Sequence, residues 1–361
     1  MGGRTMPTDS NTHSRRDILR AGAGAAGAGL CGMCGLFAAP RLARAQAADP
    51  VRFSLEFRIY GGNAALFLGA ESGIFRGQNI DVTFDGSGGS VESVTRVATG
   101  THAFGLADLS TLVEFTARNP KEAPKLIMTV FDRFPAVVLS LKRKPIKTLQ
   151  DLVGARLGTG SVDAGAKILP ALLALNKIDP KSINRVTTDV KIRDTMLIKG
   201  EVDAVVAFDY TSIFNLIEAG LKLEDINLLY FADFGFDFWG NSLIVNPGVL
   251  EQNPDLVRRC AIAVARSWVA ANKDRAAAIS AVTKRDGLLR AATERARMDW
   301  VLDHLVLTPN VRQNGLGSID AQRMAHGINV LKDGFQLPTA PTMEQIYDSR
   351  FLPPRADRMM V

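Results

Sequence analysis

The chain has 361 residues, of which 47% are hydrophobic and 22% charged, so it is long enough for two lobes with sizeable cores. Its formal net charge is +6, but residues 1–45 hold six basic and two acidic groups, and removing these from the totals of 43 and 37 leaves 37 basic against 35 acidic groups. Such a balanced remainder gives no electrostatic support for a nucleic-acid partner, and we expect none.

The amino terminus predicts an export signal. Residues 14–20, SRRDILR, resemble the twin-arginine motif, with Ile18 where phenylalanine is commonest. An uncharged Gly/Ala-rich stretch follows, and residues 43–45 (ARA) offer a small-x-small cleavage site. We therefore predict a twin-arginine signal peptide over residues 1–45 and a periplasmic mature chain. A membrane span is the alternative, which the weak hydrophobicity disfavours.

Cleavage would leave Cys260 as the single cysteine, which excludes an intrachain disulfide and a cysteine-rich metal site. We expect no metal and no cofactor.

The mature chain begins with two strand–loop–helix units. Residues 51–60 alternate as a strand, residues 60–63 form a turn, and an apolar helix follows. A second strand over 80–84 leads into the Gly/Ser loop 85–90 and another helix. This order predicts a parallel sheet whose loops face a ligand at the carboxyl ends of the strands.

Two similar segments lie about a hundred residues apart. Residues 100–108 and 200–209 both start with Gly, continue as an apolar run and end in Asp. Two such units predict two lobes that face each other.

Residues 155–165 predict a strand, a small polar loop and a helix start, which Ser161 or Asp163 can cap. Free N–H groups at a helix start suit an anionic or carbonyl-bearing guest, although an ordinary strand-to-helix turn has the same pattern. Pro170 counts against a straight helix here, because an interior proline removes a hydrogen bond. We place lobe 1 at residues 50–140 and 240–361 and lobe 2 at 141–239.

The ordered motifs at residues 70–82, 100–108, 146–158, 199–204 and 253–259 together resemble substrate-binding proteins of the nitrate/sulfonate/taurine and thiamine-precursor-like group of ABC importers. The resemblance implies the α/β, two-lobed type II periplasmic binding protein fold, each lobe a mostly parallel sheet flanked by helices. It also implies two strand crossings, a ligand in the cleft between the lobes, and docking to a permease with its ATPase.

Related fungal pyrimidine-synthesising enzymes carry a cysteine-rich motif, an active-site histidine and a lysine-held pyridoxal phosphate. This mature chain departs from that pattern, since it has one cysteine and its His102 lies on a predicted buried strand, where a core histidine is the commoner role.

Seven loop segments are expected to meet in the cleft: 60–63, 87–90, 108–110, 132–134, 159–163, 209–210 and 237–241. The candidate ligand-binding residues are Tyr60, Asn63, Ser87, Gly88, Gly89, Ser90, Asp108, Ser110, Phe134, Thr159, Ser161, Asp163, Asp209, Tyr210, Asp237, Trp239 and Asn241. Aromatic rings can stack on a planar ligand, and acids can accept hydrogen bonds from amino groups. The same aromatics could equally be core, and the same acids helix caps.

Aromatics together with acids favour an amino-substituted heterocycle, such as a pyrimidine-like compound, over a bare oxyanion. Arg133 is the one arginine evident in these loops, which weakens the nitrate or sulfonate alternative. Asp108 and Asp209 are expected to approach one ligand from opposite lobes, so that Asp209→Asn would weaken binding roughly ten- to a hundredfold.

The sequence carries none of the HExxH, GxSxG or P-loop motifs. We therefore predict a monomeric, non-enzymatic solute-binding protein that reaches the membrane only through its permease. One alternative is an exported enzyme on the same fold, such as a lyase or desulfinase acting on a small aromatic or sulfur-containing substrate. A soluble sensor or chaperone-like protein has the least support.

Overall fold

The computed structural model describes Gly2 and residues 47–160 and 163–360. The predicted signal peptide over residues 1–45 and the candidate residue Ser161 therefore lie outside what is described, apart from Gly2. Within the described part of the chain, no helix combines the length and apolar character needed to cross a membrane.

Ten strands of the described residues form two five-stranded mixed sheets. They are β1 (Asp49–Ser54), β2 (Ile80–Asp85), β3 (Phe104–Asp108), β4 (Lys125–Thr129), β5 (Ala136–Leu141), β6 (Arg156–Gly160), β7 (Asn184–Thr188), β8 (Ala204–Phe208), β9 (Ile226–Tyr230) and β10 (Asn241–Val245). The first sheet, the centre of lobe 1, has the order β2-β1-β3-β10-β4, and the second, the centre of lobe 2, has the order β7-β6-β8-β5-β9.

Helices flank both sheets. They are α1 (Ala64–Glu71), α2 (Ile74–Gly77), α3 (Ser90–Ala98), α4 (Leu109–Arg118), α5 (Ala164–Leu175), α6 (Val190–Lys199), α7 (Asp209–Glu218), α8 (Pro247–Gln252), α9 (Pro254–Lys273), α10 (Arg275–Arg285), α11 (Ala291–Trp300), α12 (Pro309–Asn314), α13 (Ala321–Gly334), α14 (Met343–Ile346) and α15 (Arg355–Arg358). A π-helical turn, Val301–Val306, continues α11. Helix α9 packs on α1 in lobe 1, whereas α13 packs on both α4 and α5.

The two sheets share one topology. In each, four strands run parallel and the strand in the fourth position runs antiparallel to both neighbours. That strand arrives from the other lobe: β5 follows β4 of lobe 1, and β10 follows β9 of lobe 2. The chain thus crosses twice between its lobes, which confirms the predicted two-lobed type II fold.

The end of the first lobe was predicted wrongly. Residues 136–140 were assigned to lobe 1, but β5 pairs along its length with β8 and β9 of the second sheet. The apolar run that continues from β4 is interrupted at Pro135, and the strand after it completes the hydrogen bonds of lobe 2 instead.

The two Gly-to-Asp segments are equivalent in the fold. Strands β3 and β8 each occupy the middle position of their sheet. Gly100 and Gly200 precede them, both with φ of 73°, a left-handed conformation that favours glycine. His102 is buried beside β3, and its Nε2 lies 2.9 Å from Asp85 Oδ2, as expected for a core histidine.

Helix α5 runs through Pro170, contrary to the expectation of a break. A proline at this position leaves the carbonyl of residue 166 without its helical N–H partner. Arg185 Nη2 donates a hydrogen bond to the carbonyl oxygen of Ala166 at 2.9 Å. A side chain from β7 therefore replaces the missing donor.

Candidate functional site

A cavity of about 730 Å³ lies at the carboxyl ends of the strands of both lobes. Its walls come from the segment after β1, the loop before α3, the starts of α4 and α5, one face of α6, and the β8–α7 junction. Residues carrying its chemistry are Glu56, Phe57, Arg58, Tyr60, Asp108, Asp163, Arg193, Asp194, Phe208, Tyr210, Asn215 and Arg297. This is the edge at which open α/β sheets place their ligands.

Several candidate residues are brought together on this wall. Those that line the cavity are Tyr60, Gly88, Gly89, Ser90, Asp108, Asp163 and Tyr210. They come from both lobes, so the cavity lies between them.

Three further candidates lie behind the wall and hold lining residues in place. Asn63 Nδ2 donates to Glu56 Oε1 at 3.3 Å, Ser110 Oγ donates to Asp108 Oδ1, and Asn241 Nδ2 donates to Tyr210 Oη at 3.3 Å. Ser87 Oγ donates to the carbonyl of Leu55 and lines a second cavity of about 690 Å³ that shares Arg58, Gly88 and Glu92 with the first.

The structure does not bring the remaining candidates to the cavity. Phe134 is core, with its ring 4.9 Å from that of Phe236, and Thr159 is fully buried in β6. Trp239 Nε1 donates to Asp132 Oδ1 at 3.0 Å. Asp237 is 60% exposed and pairs with Arg323.

Asp209 is also absent from the wall of the cavity. Both its carboxylate oxygens accept hydrogen bonds from the protein, from the Tyr210 N–H, Tyr230 Oη and Trp300 Nε1. The extra residue that lengthens the second Gly-to-Asp segment puts Asp209 at the first position of α7, whereas Asp108 is the cap before α4.

Aromatic rings from both lobes form one stack in the cavity wall. The Tyr60 and Tyr210 rings have centroids 6.1 Å apart and planes 25° apart, and Tyr210 stacks on Phe208 at 6.0 Å. Phe57 meets Tyr60 edge-on. Because the stack crosses from lobe 1 to lobe 2, it offers a surface for a flat guest only when the lobes are together.

Two buried carboxyl groups lie on the lobe 1 wall. Asp108 Oδ1 accepts hydrogen bonds from the N–H groups of Ser110 and Thr111, while its Oδ2 has no partner. Glu56 Oε1 accepts from Tyr60 Oη at 2.8 Å, and its Oε2 likewise has none. Burial raises the pKa of Asp108 to about 7, and nearby Asp163 adds to the effect. Burial also raises the pKa of Glu56.

The lobe 2 wall is a buried ionic network. Arg193 donates to Asp163 Oδ2 at 2.7 Å and to Ser212 Oγ at 2.8 Å, and it contacts Asp194 at 3.4 Å. Asn215 Nδ2 donates to the other oxygen of Asp194. Burial raises the pKa of Asp163, although Arg193 opposes the shift.

Helix α11 closes the back of the cavity. Arg297 donates to the carbonyl of Tyr210 at 2.7 Å and to Glu294 Oε2 at 2.9 Å, and Glu294 accepts from the N–H of Gly61. Both side chains are nearly inaccessible, at 1% and 2% exposed. This ion pair therefore joins the Tyr60 turn of lobe 1 to α7 of lobe 2.

Sequence reasoning missed four residues of this wall. Arg193, Asp194 and Arg297 lie on helices whose inward faces only packing reveals. Glu56 did give a signal, because it is an acid within the apolar run SLEFRIY. The expectation that Arg133 is the one arginine near the ligand was wrong: Arg133 lies over the Tyr230 ring at 3.9 Å, outside the wall.

No group of three or more His, Cys, Asp or Glu side chains among the described residues has the geometry of a metal site. The described cysteine, Cys260, is buried in lobe 1. The chemistry of the cavity is thus hydrogen bonding, charge and stacking.

The family model described as NMT1/THI5 like matches residues 62–278 of the chain. The chain belongs to this NMT1/THI5-like family. The match begins in the Tyr60 turn and ends in α10, so it covers most of the strands of both sheets. Family membership and fold agree with the resemblance found in the sequence.

One relative of this NMT1/THI5-like chain is the riboflavin-binding protein RibY of Chloroflexus aurantiacus, 24% identical over 332 residues, which are 88% of this chain and 91% of RibY. The aliphatic sulphonate binding protein SsuA of Escherichia coli has a similar structure, with a TM-score of 0.64 at 15% identity over 83% of this chain and 92% of its own. The desulfurization enzyme DSZB, bound to biphenyl-2-sulfinic acid, gives 0.57 at 13% identity over 84% and 97%. The fold is thus shared by binding proteins and an enzyme.

Proposed function

We propose that this chain is a periplasmic solute-binding protein that delivers a planar, donor-rich small molecule, such as an amino-substituted or pyrimidine-like heterocycle, to an ABC importer. The observation that carries the proposal is the cavity between the lobes, where a Tyr60–Tyr210 stack lies beside two buried carboxyl groups with free oxygens. A flat ring would stack on the tyrosines while its N–H groups reach the acids.

The size and position of the cavity support binding of a small molecule. Its volume of about 730 Å³ falls in the range of small-molecule sites, which are mostly apolar with a few placed polar groups. RibY is named for a planar heterocycle, riboflavin, and SsuA for aliphatic sulphonates. The free carboxyl oxygens here favour the first kind of ligand over the second.

The remaining parts of the proposal concern location and partners. Export by the twin-arginine route would place the mature chain, a monomer, in the periplasm, where it would meet a permease with its ATPase. We assign the ligand-binding role to the candidate residues that line the cavity and to the missed Glu56, Arg193 and Arg297.

The test starts with the protein purified from the periplasm and measured by native mass spectrometry. A co-purified small molecule is expected, and titration calorimetry should then give binding with one site per chain. Tyr210→Leu should weaken that binding at least tenfold, whereas Tyr347→Leu, half-buried and remote from the cavity, should not. If the purified protein converts the molecule to a product, the exported-enzyme alternative replaces the proposal.

A further inference from the structure

The two free carboxyl oxygens lie on the same wall and are held by fixed partners. Asp108 is anchored through its other oxygen to the first turn of α4, and Glu56 is anchored through its other oxygen to Tyr60 and Asn63. Asp108 is fully buried and Glu56 is 3% exposed. Each side chain therefore presents one unused acceptor in a position that it cannot easily leave.

The arginines of the cavity do not neutralise this pair. Arg193 is bonded to Asp163 and Ser212, and Arg297 is bonded to Glu294 and the Tyr210 carbonyl. Arg58 is exposed, with its guanidinium 5.8 Å from the Phe57 ring. A buried carboxylate without a counter-charge is unfavourable, so the empty site lacks a positive group on the lobe 1 side.

We propose, on the basis of the proposed function, that the solute is a planar cation, an amidinium or a protonated amino-heterocycle, whose N–H groups bond to Asp108 and Glu56. Charge-assisted hydrogen bonds of this kind are stronger than neutral ones. The same wall disfavours an anion, which would face two acids at close range. The ring of the cation would stack on Tyr60 and Tyr210.

Binding would then release a proton. In the empty protein the Asp108 carboxyl holds a proton at neutral pH, since burial raises its pKa to about 7. The other titratable and charged groups around the two acids are Tyr60, Tyr210, Asp163, Arg193 and Arg297. When the cation arrives, the O–H bond of Asp108 breaks, the proton goes to solvent, and the carboxylate pairs with the ligand.

Three probes of one shape and different charge test this inference: benzamidine as cation, benzamide as neutral analogue and benzoate as anion. Calorimetric titration near pH 8 is expected to give binding of benzamidine, at least tenfold weaker binding of benzamide and none of benzoate. Near pH 6, titrations in phosphate and Tris should differ in heat by close to one released proton, and the difference should vanish near pH 8.5.

Asp108→Asn and Glu56→Gln should each weaken benzamidine binding at least tenfold and reduce its preference over benzamide, because each removes a negative charge and keeps the shape. Glu224→Gln, at an acid 76% exposed on lobe 2, is the matched control and should change neither. Thermal melts establish that each variant folds.

Equal or tighter binding of benzamide or benzoate would overturn the cation inference. If Tyr210→Leu weakened that binding too, the proposed solute-binding function would still stand. If native mass spectrometry found no bound small molecule and none of the three probes bound, the proposed function would fail as well.

Discussion

The Trp300 indole Nε1 donates a hydrogen bond to Asp209 Oδ2 at 2.9 Å. It joins the end of α11 to the first residue of α7, behind the cavity. Tyr230 Oη donates to the same carboxylate oxygen at 2.8 Å. The carboxylate predicted to bind ligand is instead used to tie lobe 2 to α11.

Asp209→Asn is therefore expected to lower the stability of the empty protein rather than its affinity. An amide nitrogen in place of Oδ2 would face two donors, and a buried group left unsatisfied costs about 1–3 kcal/mol. Urea unfolding of the empty protein should measure this loss, while benzamidine affinity stays within about twofold. Asp237→Asn, at the exposed acid, serves as control. Weakened binding at unchanged stability would return Asp209 to the site.

Arg297→Met should destabilise the protein strongly. It leaves Glu294 buried without its charge partner, and breaking a buried pair in this way costs about 3–5 kcal/mol. Arg295→Met on the same helix is the control, because Arg295 is 45% exposed in its pair with Asp299 and such pairs contribute about 1 kcal/mol or less. Equal effects of the two changes in urea unfolding would contradict the role of Arg297.

The stability of the empty protein should fall as the pH rises from about 4 to about 7. The folded pKa of Asp108, about 7, lies above its ordinary value of 3.8, so the folded state holds the proton more firmly than the unfolded state. This contribution is present at low pH and is lost as the pH rises through the folded pKa.

Thermal melts at pH 5.5 and 7.5 measure this pH dependence. Asp108→Asn should reduce the difference between the two melting temperatures, because an amide does not titrate. Asp209, whose pKa burial raises to about 6, contributes in the same direction and should keep a smaller slope in the variant. A difference unchanged from that of the unmodified protein would contradict the prediction.

The two lobes should close on the ligand. Two connecting segments, residues 130–135 and 231–240, carry the chain between the sheets, and the Tyr60–Tyr210 stack forms only with the lobes together. Binding to both walls favours the closed state. Small-angle scattering at saturating co-purified ligand or benzamidine should show a smaller radius of gyration than the empty protein. An identical radius would count against hinge closure.

Export should depend on the arginine pair. Replacement of both Arg15 and Arg16 by Lys is expected to leave the precursor in the cytoplasm, since the twin-arginine route requires the pair. Arg4→Lys, upstream of the motif, is the control. Cell fractionation with immunoblotting measures the distribution, and normal periplasmic recovery of the double variant would contradict this route.

The sequence by itself determined the fold because local patterns carry that information. Alternating apolar strands, Gly-rich turns and caps are short-range features, and their order gave two parallel-sheet lobes with a cavity at the strand ends. It also placed Asp108, Tyr60 and Tyr210 on the wall. These residues directly end or follow predicted strands, so topology alone positions them.

The tertiary structure alone decided which side chains face the cavity and which are used up elsewhere. One extra residue moved Asp209 from the cap position of Asp108 to the start of α7, where Tyr230 and Trp300 reach it. Arg193 and Arg297 reach the wall because α6 and α11 pack across it. Their partners are up to 87 residues away, and no local pattern encodes contacts over such separations, since they depend on how the helices pack.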